Sequence, residues 1–126
     1  MAKPRIRVGL LESTTFLVGA MPVPKYKDWE KTEFATDWDS GQPLYLVTVF
    51  LMEEERAEAL TIEVPKGGLP NGLMPGVTVR PVELFASPWA RVNDRGQLGQ
   101  GISFRADSLE VGQPLTVAAP EKKAAA

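Results

Sequence analysis

Gly76-Val77-Thr78-Val79-Arg80, Ser87-Pro88-Trp89-Ala90-Arg91 and Gly101-Ile102-Ser103-Phe104-Arg105-Ala106-Asp107 decide the fold class of this chain. The first and last alternate apolar and polar residues, the period of a half-buried β-strand. Phe104 shares the period-two face of Ile102 and Ala106, which assigns these residues and the valines to a core. Ser103, Arg105 and Asp107 fall on the opposite face, and Arg80 is turned outward in the same way by Val77 and Val79. The middle stretch sets Trp89 and Arg91 on a Pro- and Gly-rich connection.

Working outward, residues 44–52 form a strand rich in β-branched and aromatic residues. Residues 59–64 alternate as its return, with Leu60, Ile62 and Val64 on one face. Between them residues 53–58 make a charged loop or a helical turn. Residues 5–11 alternate (Arg5, Ile6, Arg7, Val8), and Phe16 opens a second apolar run. The spacing from Thr32 to Ala35 fits a short strand. Asp37 through Pro43 reads as a turn, because Asp and Ser bond their own backbone and Gly41 supplies a left-handed residue.

Residues 65–76 are too rich in Pro and Gly for a regular element. Residues 77–85 resume as a strand, which Pro81 makes an edge or a bulge. Residues 93–101 read as a flexible loop, and residues 102–111 as the last strand or strand pair. Five or six short strands with no long helix predict an all-β protein: a small five- to six-stranded OB-fold-like barrel over residues 5–114. Flexible tails are expected at residues 1–4 and 115–126.

Composition narrows the chemistry. At 126 residues one domain can bury a core without staples. Cysteine and histidine are both absent, which removes disulfides, thiolate nucleophiles, the commonest general base and the commonest metal ligand. No cofactor and no metal is expected, and no carboxylate or Ser–Lys spacing suggests catalysis, so the expected protein is not an enzyme. Lacking both a 20-residue apolar run and an apolar N-terminal block, the chain is expected in the cytoplasm.

Net charge is −2, but its distribution is uneven. Glu53, Glu54, Glu55 and Glu58 cluster, whereas Arg80, Arg91, Arg95 and Arg105 all fall in the C-terminal half. Such asymmetry allows a basic face on an acidic protein. The glutamate run lacks the glycine and spaced oxygens of a calcium loop, so it reads as a solvated tip. Residues 96–101 are glycine-rich, but a strand follows them rather than a helix, so they are not a phosphate loop.

Aromatic rings beside guanidinium groups are the means of binding single-stranded nucleic acid: bases stack, and cations neutralise the backbone. Trp38, Tyr45, Phe85 and Trp89 are the candidate stacking surfaces, with Trp89 foremost because it follows Pro88 at a strand end and precedes Arg91 by two residues. Phe50 is assigned to the core with Phe104. Arg80, Arg91, Arg95 and Arg105 are the candidate phosphate ligands; the bland alternative is a solvated face paired with Glu83 or Asp107.

The chain also resembles a known group. Ala35-Thr36-Asp37, Gly41-Gln42-Pro43-Leu44-Tyr45-Leu46-Val47-Thr48-Val49, Ile62-Glu63-Val64-Pro65, Gly76-Val77-Thr78-Val79, residues 84–90 and Gly101-Ile102-Ser103-Phe104-Arg105-Ala106-Asp107 carry the likeness. Over roughly two-thirds of its length the chain resembles single-stranded-DNA-binding-like OB-fold proteins of actinobacterial integrative conjugative elements, plasmids and phages. The resemblance implies a barrel whose wall includes the hairpin of residues 44–64, with Trp89, Arg91 and Arg105 facing DNA. The chain ends in Glu121-Lys122-Lys123 and three alanines, without a long acidic tail.

The expected function is non-sequence-specific binding of single-stranded DNA in replication or transfer of a mobile element or phage. Replication proteins and a second copy of the chain are further candidate partners, and no membrane is expected. The alternative is a protein-interaction barrel that exposes Phe85, Leu98 and Met74 and binds no nucleic acid.

Overall fold

The structure is a computed structural model that describes residues 5–27, 30, 33–37 and 40–114. Both expected tails, residues 1–4 and 115–126, lie outside the described residues, as do Trp38 and part of the expected strand at 32–35. Among the described residues nine strands make one sheet: β1 (Ile6–Arg7), β2 (Thr15–Val18), β3 (Val23–Pro24), β4 (Leu44–Glu53), β5 (Arg56–Pro65), β6 (Val77–Val82), β7 (Phe85–Val92), β8 (Leu98–Arg105) and β9 (Ser108–Pro114). No helix among the described residues is long and apolar enough to cross a membrane.

The hairpin expected at residues 44–64 is the longest feature. β4 and β5 pair antiparallel from Leu44↔Pro65 to Glu53↔Arg56, so the connection is two residues, Glu54 and Glu55, rather than a six-residue loop. Glu54 takes a positive φ of 43° to make that turn. β2 and β3 both run along the other edge of β4. They behave as one strand whose register moves by two residues across the bulge at 19–22.

Closure follows from connectivity. Strand order along the sheet is β1-β7-β8-β5-β4-β2-β6-β9. β8 and β9 stand six strands apart in that order, counting both, yet are joined by only Ala106 and Asp107. The sheet between them must therefore bend round until its ends meet. At the seam the Ala106 N–H donates to the Glu63 carbonyl at the end of β5, and the Asp107 N–H donates to the Val82 carbonyl at the end of β6. Gly68, in the 3-10 turn Lys66–Gly68, packs directly on the Asp107 backbone, where a Cβ has no room.

Inside the curl lie Phe16 and Val18 of β2, Val47 and Val49 of β4, Ile62 and Val64 of β5, Leu73, Val79, Leu84, Ala106 and Leu109. The period-two pattern fills this face from strand after strand, burying about 1.5–3 kcal/mol of transfer free energy per large side chain.

Several expectations need correction. Phe50 is 42% exposed on the outer face, its ring lying over Gly19. Ile102 is 58% exposed, because β8 leaves the barrel before reaching it; only Phe104 and Ala106 of that face touch the core. The sequence period assigns a face correctly, but it does not say how far a strand extends beyond the core. Of the two readings of Pro81, edge and bulge, the edge holds. The register shift of β6 lies between Val77 and Val79, and Pro81 sits past the end of the β2 pairing, still opposite Leu109 of β9. A break at Glu83 (φ 58°) and Leu84 divides the expected strand 77–85.

Candidate nucleic-acid interface

The β7–β8 hairpin carries the site. Its register pairs Phe85 with Arg105, Ser87 with Ser103, Trp89 with Gly101 and Arg91 with Gly99. Directly opposed residues share a face, so the six side chains among these eight residues lie on one side, with two bare glycine positions. Glu63 pairs with Arg105 in the parallel β5–β8 contact, and Ile62 with Phe104. The Trp89 face is accordingly the outer face of the barrel. Sequence reading placed Trp89 at a strand end; it lies in mid-strand, and a register that opposes it to glycine decides its pose.

Gly101 is the reason the indole can lie across β8. A Cβ there would stand 2.8 Å from Trp89 Cζ2 and 3.0 Å from Cε2. Gly99 leaves the next position equally bare, 3.8 Å from Trp89 Cζ3. Over the same ring sits the Arg91 guanidinium, 5.3 Å from its centroid. Trp89, Arg91, Asn93, Gln97, Leu98 and Gly99 line an open cleft of about 500 Å³. From Ala90 to Gln97 every residue is exposed, so this part of the hairpin stands clear of the barrel.

Its tip is more tied down than a flexible loop. The Asn93 side-chain oxygen accepts the N–H groups of Arg95 and Gln97, each at 2.9 Å, and its amide donates to Gln97 Oε1 at 2.8 Å. Gly96 supplies the left-handed residue, with φ 77°. These bonds fix the turn that carries Arg95, between the cleft-lining Asn93 and Gln97. Neither Arg91 nor Arg95 has a carboxylate partner among the described residues.

The remaining candidates are dispersed. Arg105 is on the predicted face, but its guanidinium is ion-paired with Asp37 and only 21% of its side chain is exposed. Burial works against charge on Asp37. Hydrogen bonds from the Ser40 hydroxyl and N–H, together with Arg105, outweigh it and hold the carboxyl below the ordinary aspartate value. Arg80 is half-buried and donates to the carbonyls of Thr14 and Leu11 at 3.2 and 3.3 Å. Both arginines expected to reach outward are instead clamps on loops. Tyr45 stands on the β4 face of Val47 and Val49, away from Trp89. Trp38 lies outside the described residues.

The sequence reading missed two guanidiniums and one stacked pair. Arg5 and Arg7 lie 4.7 and 5.3 Å from the Phe85 ring centroid. The alternation of residues 5–8 contained the signal, but not the fact that β1 pairs with β7 (Arg7↔Phe85). Tyr26 and Phe34 stack with centroids 5.3 Å apart. On the hairpin's reverse face Val92, Leu98 and Ile102 are 66%, 64% and 58% exposed.

No family model and no curated relative matches this chain. Its fold is similar to the crystal structure of the mitochondrial single-stranded DNA binding protein Rim1 from S. cerevisiae. The TM-score is 0.58 at 13% identity, covering 91% of this chain and 100% of that one. At that identity the likeness is one of architecture, and the expected all-β, OB-fold-like barrel is the fold this chain has.

Proposed function

We infer that this barrel binds single-stranded DNA without sequence specificity and without catalysis, in the replication or transfer of a mobile element or phage. One observation carries the reading: Trp89 lies over the glycine track of β8 with Arg91 across its ring, on a hairpin held clear of the barrel. An open aromatic face tolerates any base, and the adjoining cations of Arg91 and Arg95 attract the backbone. The fold's likeness to a protein named for binding single-stranded DNA supports the choice of ligand. The genetic setting rests on the resemblance of residues 35–111 alone.

Titration with oligothymidylate is expected to quench tryptophan fluorescence, duplex DNA to do so far less, and added salt to reverse it as counterions are released. Trp89→Ala is expected to cost about 1–3 kcal/mol, the worth of one stacked base. No quenching at low salt, or an unchanged affinity in Trp89→Ala, sinks this reading. A second reading is favoured by the exposed Val92, Leu98 and Ile102: a partner protein docks on that face. Capture of one protein partner with no nucleic acid, abolished by Leu98→Asp, is its signature.

A further inference from the structure

The outer face of β7 continues beyond Trp89. Phe85 projects from the same face four residues earlier, a separation of about 13 Å along a strand. Between the two rings the face carries only Ser87 and, opposite it, Ser103. At the far end β1 lies beside β7, with Arg7 directly opposite Phe85. Arg5 and Arg7 both set their guanidiniums over that ring. The face is thus a shallow trough with an aromatic ring and guanidinium groups at each end.

The charges at the two ends differ from those on the outer face near β5. Lys25 is bound to Glu63 at 2.6 Å and Arg105 to Asp37, so the outer face near β5 is internally neutralised. Arg5 has no carboxylate partner among the described residues. Arg7 meets Glu83 at 2.5 Å, but the two side chains are 64% and 39% exposed. An exposed pair of this kind is weak, and a phosphate can take the carboxylate's place.

We propose that Arg5 and Arg7 of β1 form a second phosphate-binding subsite for the same single strand, with Phe85 as the positioning residue that holds both guanidiniums over β7. The proposal rests on the single-strand reading above and extends it. The strand runs along β7 from Trp89, crosses the two serines and ends on the β1 arginines. Arginine suits the task because its planar guanidinium keeps two donors in register for phosphate while resting on a ring.

The test compares wild type, Arg5→Gln/Arg7→Gln and Arg5→Lys/Arg7→Lys, each titrated with an oligothymidylate of about 16 nucleotides, the upper site size for one OB fold. Tryptophan quenching reports the Trp89 subsite and the slope of log K against log salt counts phosphates. For single strands each neutralised phosphate contributes about −0.7 to that slope. The Gln variant is expected to reach wild-type quenching at saturation with a slope shallower by about 1.4, and the Lys variant to keep the wild-type slope.

Full quenching with an unchanged slope in the Gln variant overturns the proposal and leaves the Trp89 reading standing. A slope that falls equally in the Lys variant assigns the loss to a displaced β1 and also overturns it. Absence of quenching in wild type removes the single-strand reading, and this subsite with it.

Discussion

Asp37 is nearly sealed, with 3% of its side chain exposed, and its carboxylate joins the turn at Ser40 to Arg105 of β8. Its folded-state pKa lies below the ordinary value of 3.8. The sign follows from linkage: the folded protein prefers the ionised form, so the contribution is complete above the unfolded value. It is lost as pH falls through the folded one. Asp37→Asn is expected to lower stability by about 2–3 kcal/mol at neutral pH, below the ~3–5 of a fully buried broken pair because Arg105 retains some water. In urea melts the gap between wild type and Asp37→Asn should narrow below about pH 4. A gap that stays constant down to pH 2–3 refutes the linkage. Gly101 makes a second residue-level case. Gly101→Val forces the Trp89 indole off β8, so binding should fall about as far as in Trp89→Ala while the melting temperature moves little.

At the scale of elements, the β4–β5 turn carries strain that can be removed. Glu54 sits at φ 43°, a region that costs an L-residue about 1–2 kcal/mol. Glycine removes this cost but adds entropy to the unfolded chain, worth roughly 0.5–1 kcal/mol. Glu54→Gly should therefore stabilise modestly, by several tenths to about 1 kcal/mol, read as a rise in the denaturant midpoint at constant m-value. The two-residue turn itself was not legible, because four glutamates in six residues look like a loop when the partner register is unknown. The β4–β5 strands were legible, since residues 44–52 are rich in β-branched and aromatic residues and Leu60, Ile62 and Val64 alternate along the return. β8 shows the limit of the same rule. Its alternation names Ile102, Phe104 and Ala106 as one face, and that is correct. Only the parallel pairing at Ile62↔Phe104 shows that β8 diverges from β5 before Ile102. For the site, Trp89 and Arg91 were visible as neighbours in sequence. Arg80 and Arg105 were misjudged because periodicity gives a direction and not a partner, and both found one on a loop distant in sequence. Arg5 and Phe85 are some 80 residues apart, and only strand pairing brings them together.

Across the whole molecule, the parallel β5–β8 contact has an electrostatic consequence. Because β5 and β8 run in the same direction and pair only at residues 62–63 with 104–105, the β4–β5 and β7–β8 tips lie toward the same end of the barrel, the first held in the wall by β2 and the second standing clear of it. One tip carries Glu53, Glu54, Glu55 and Glu58 against Arg56, which pairs with Glu58, and the other Arg91 and Arg95 against Asp94. Each tip lies about six residues from the contact, roughly 20 Å at strand rise. A phosphate backbone approaching the basic tip is therefore repelled by the acidic one, over a distance that salt controls. The screening length is about 30 Å at 0.01 M ionic strength and about 8 Å at 0.15 M. Glu54→Gln/Glu55→Gln should raise the association rate for oligothymidylate several-fold at the lower ionic strength. It should leave both the rate at 0.15 M and the dissociation rate unchanged, as stopped-flow tryptophan quenching would measure. Were the gain to persist at 0.15 M, the two tips would have to lie within a screening length of one bound strand. The acidic tip would then be a wall of the site instead of a remote field.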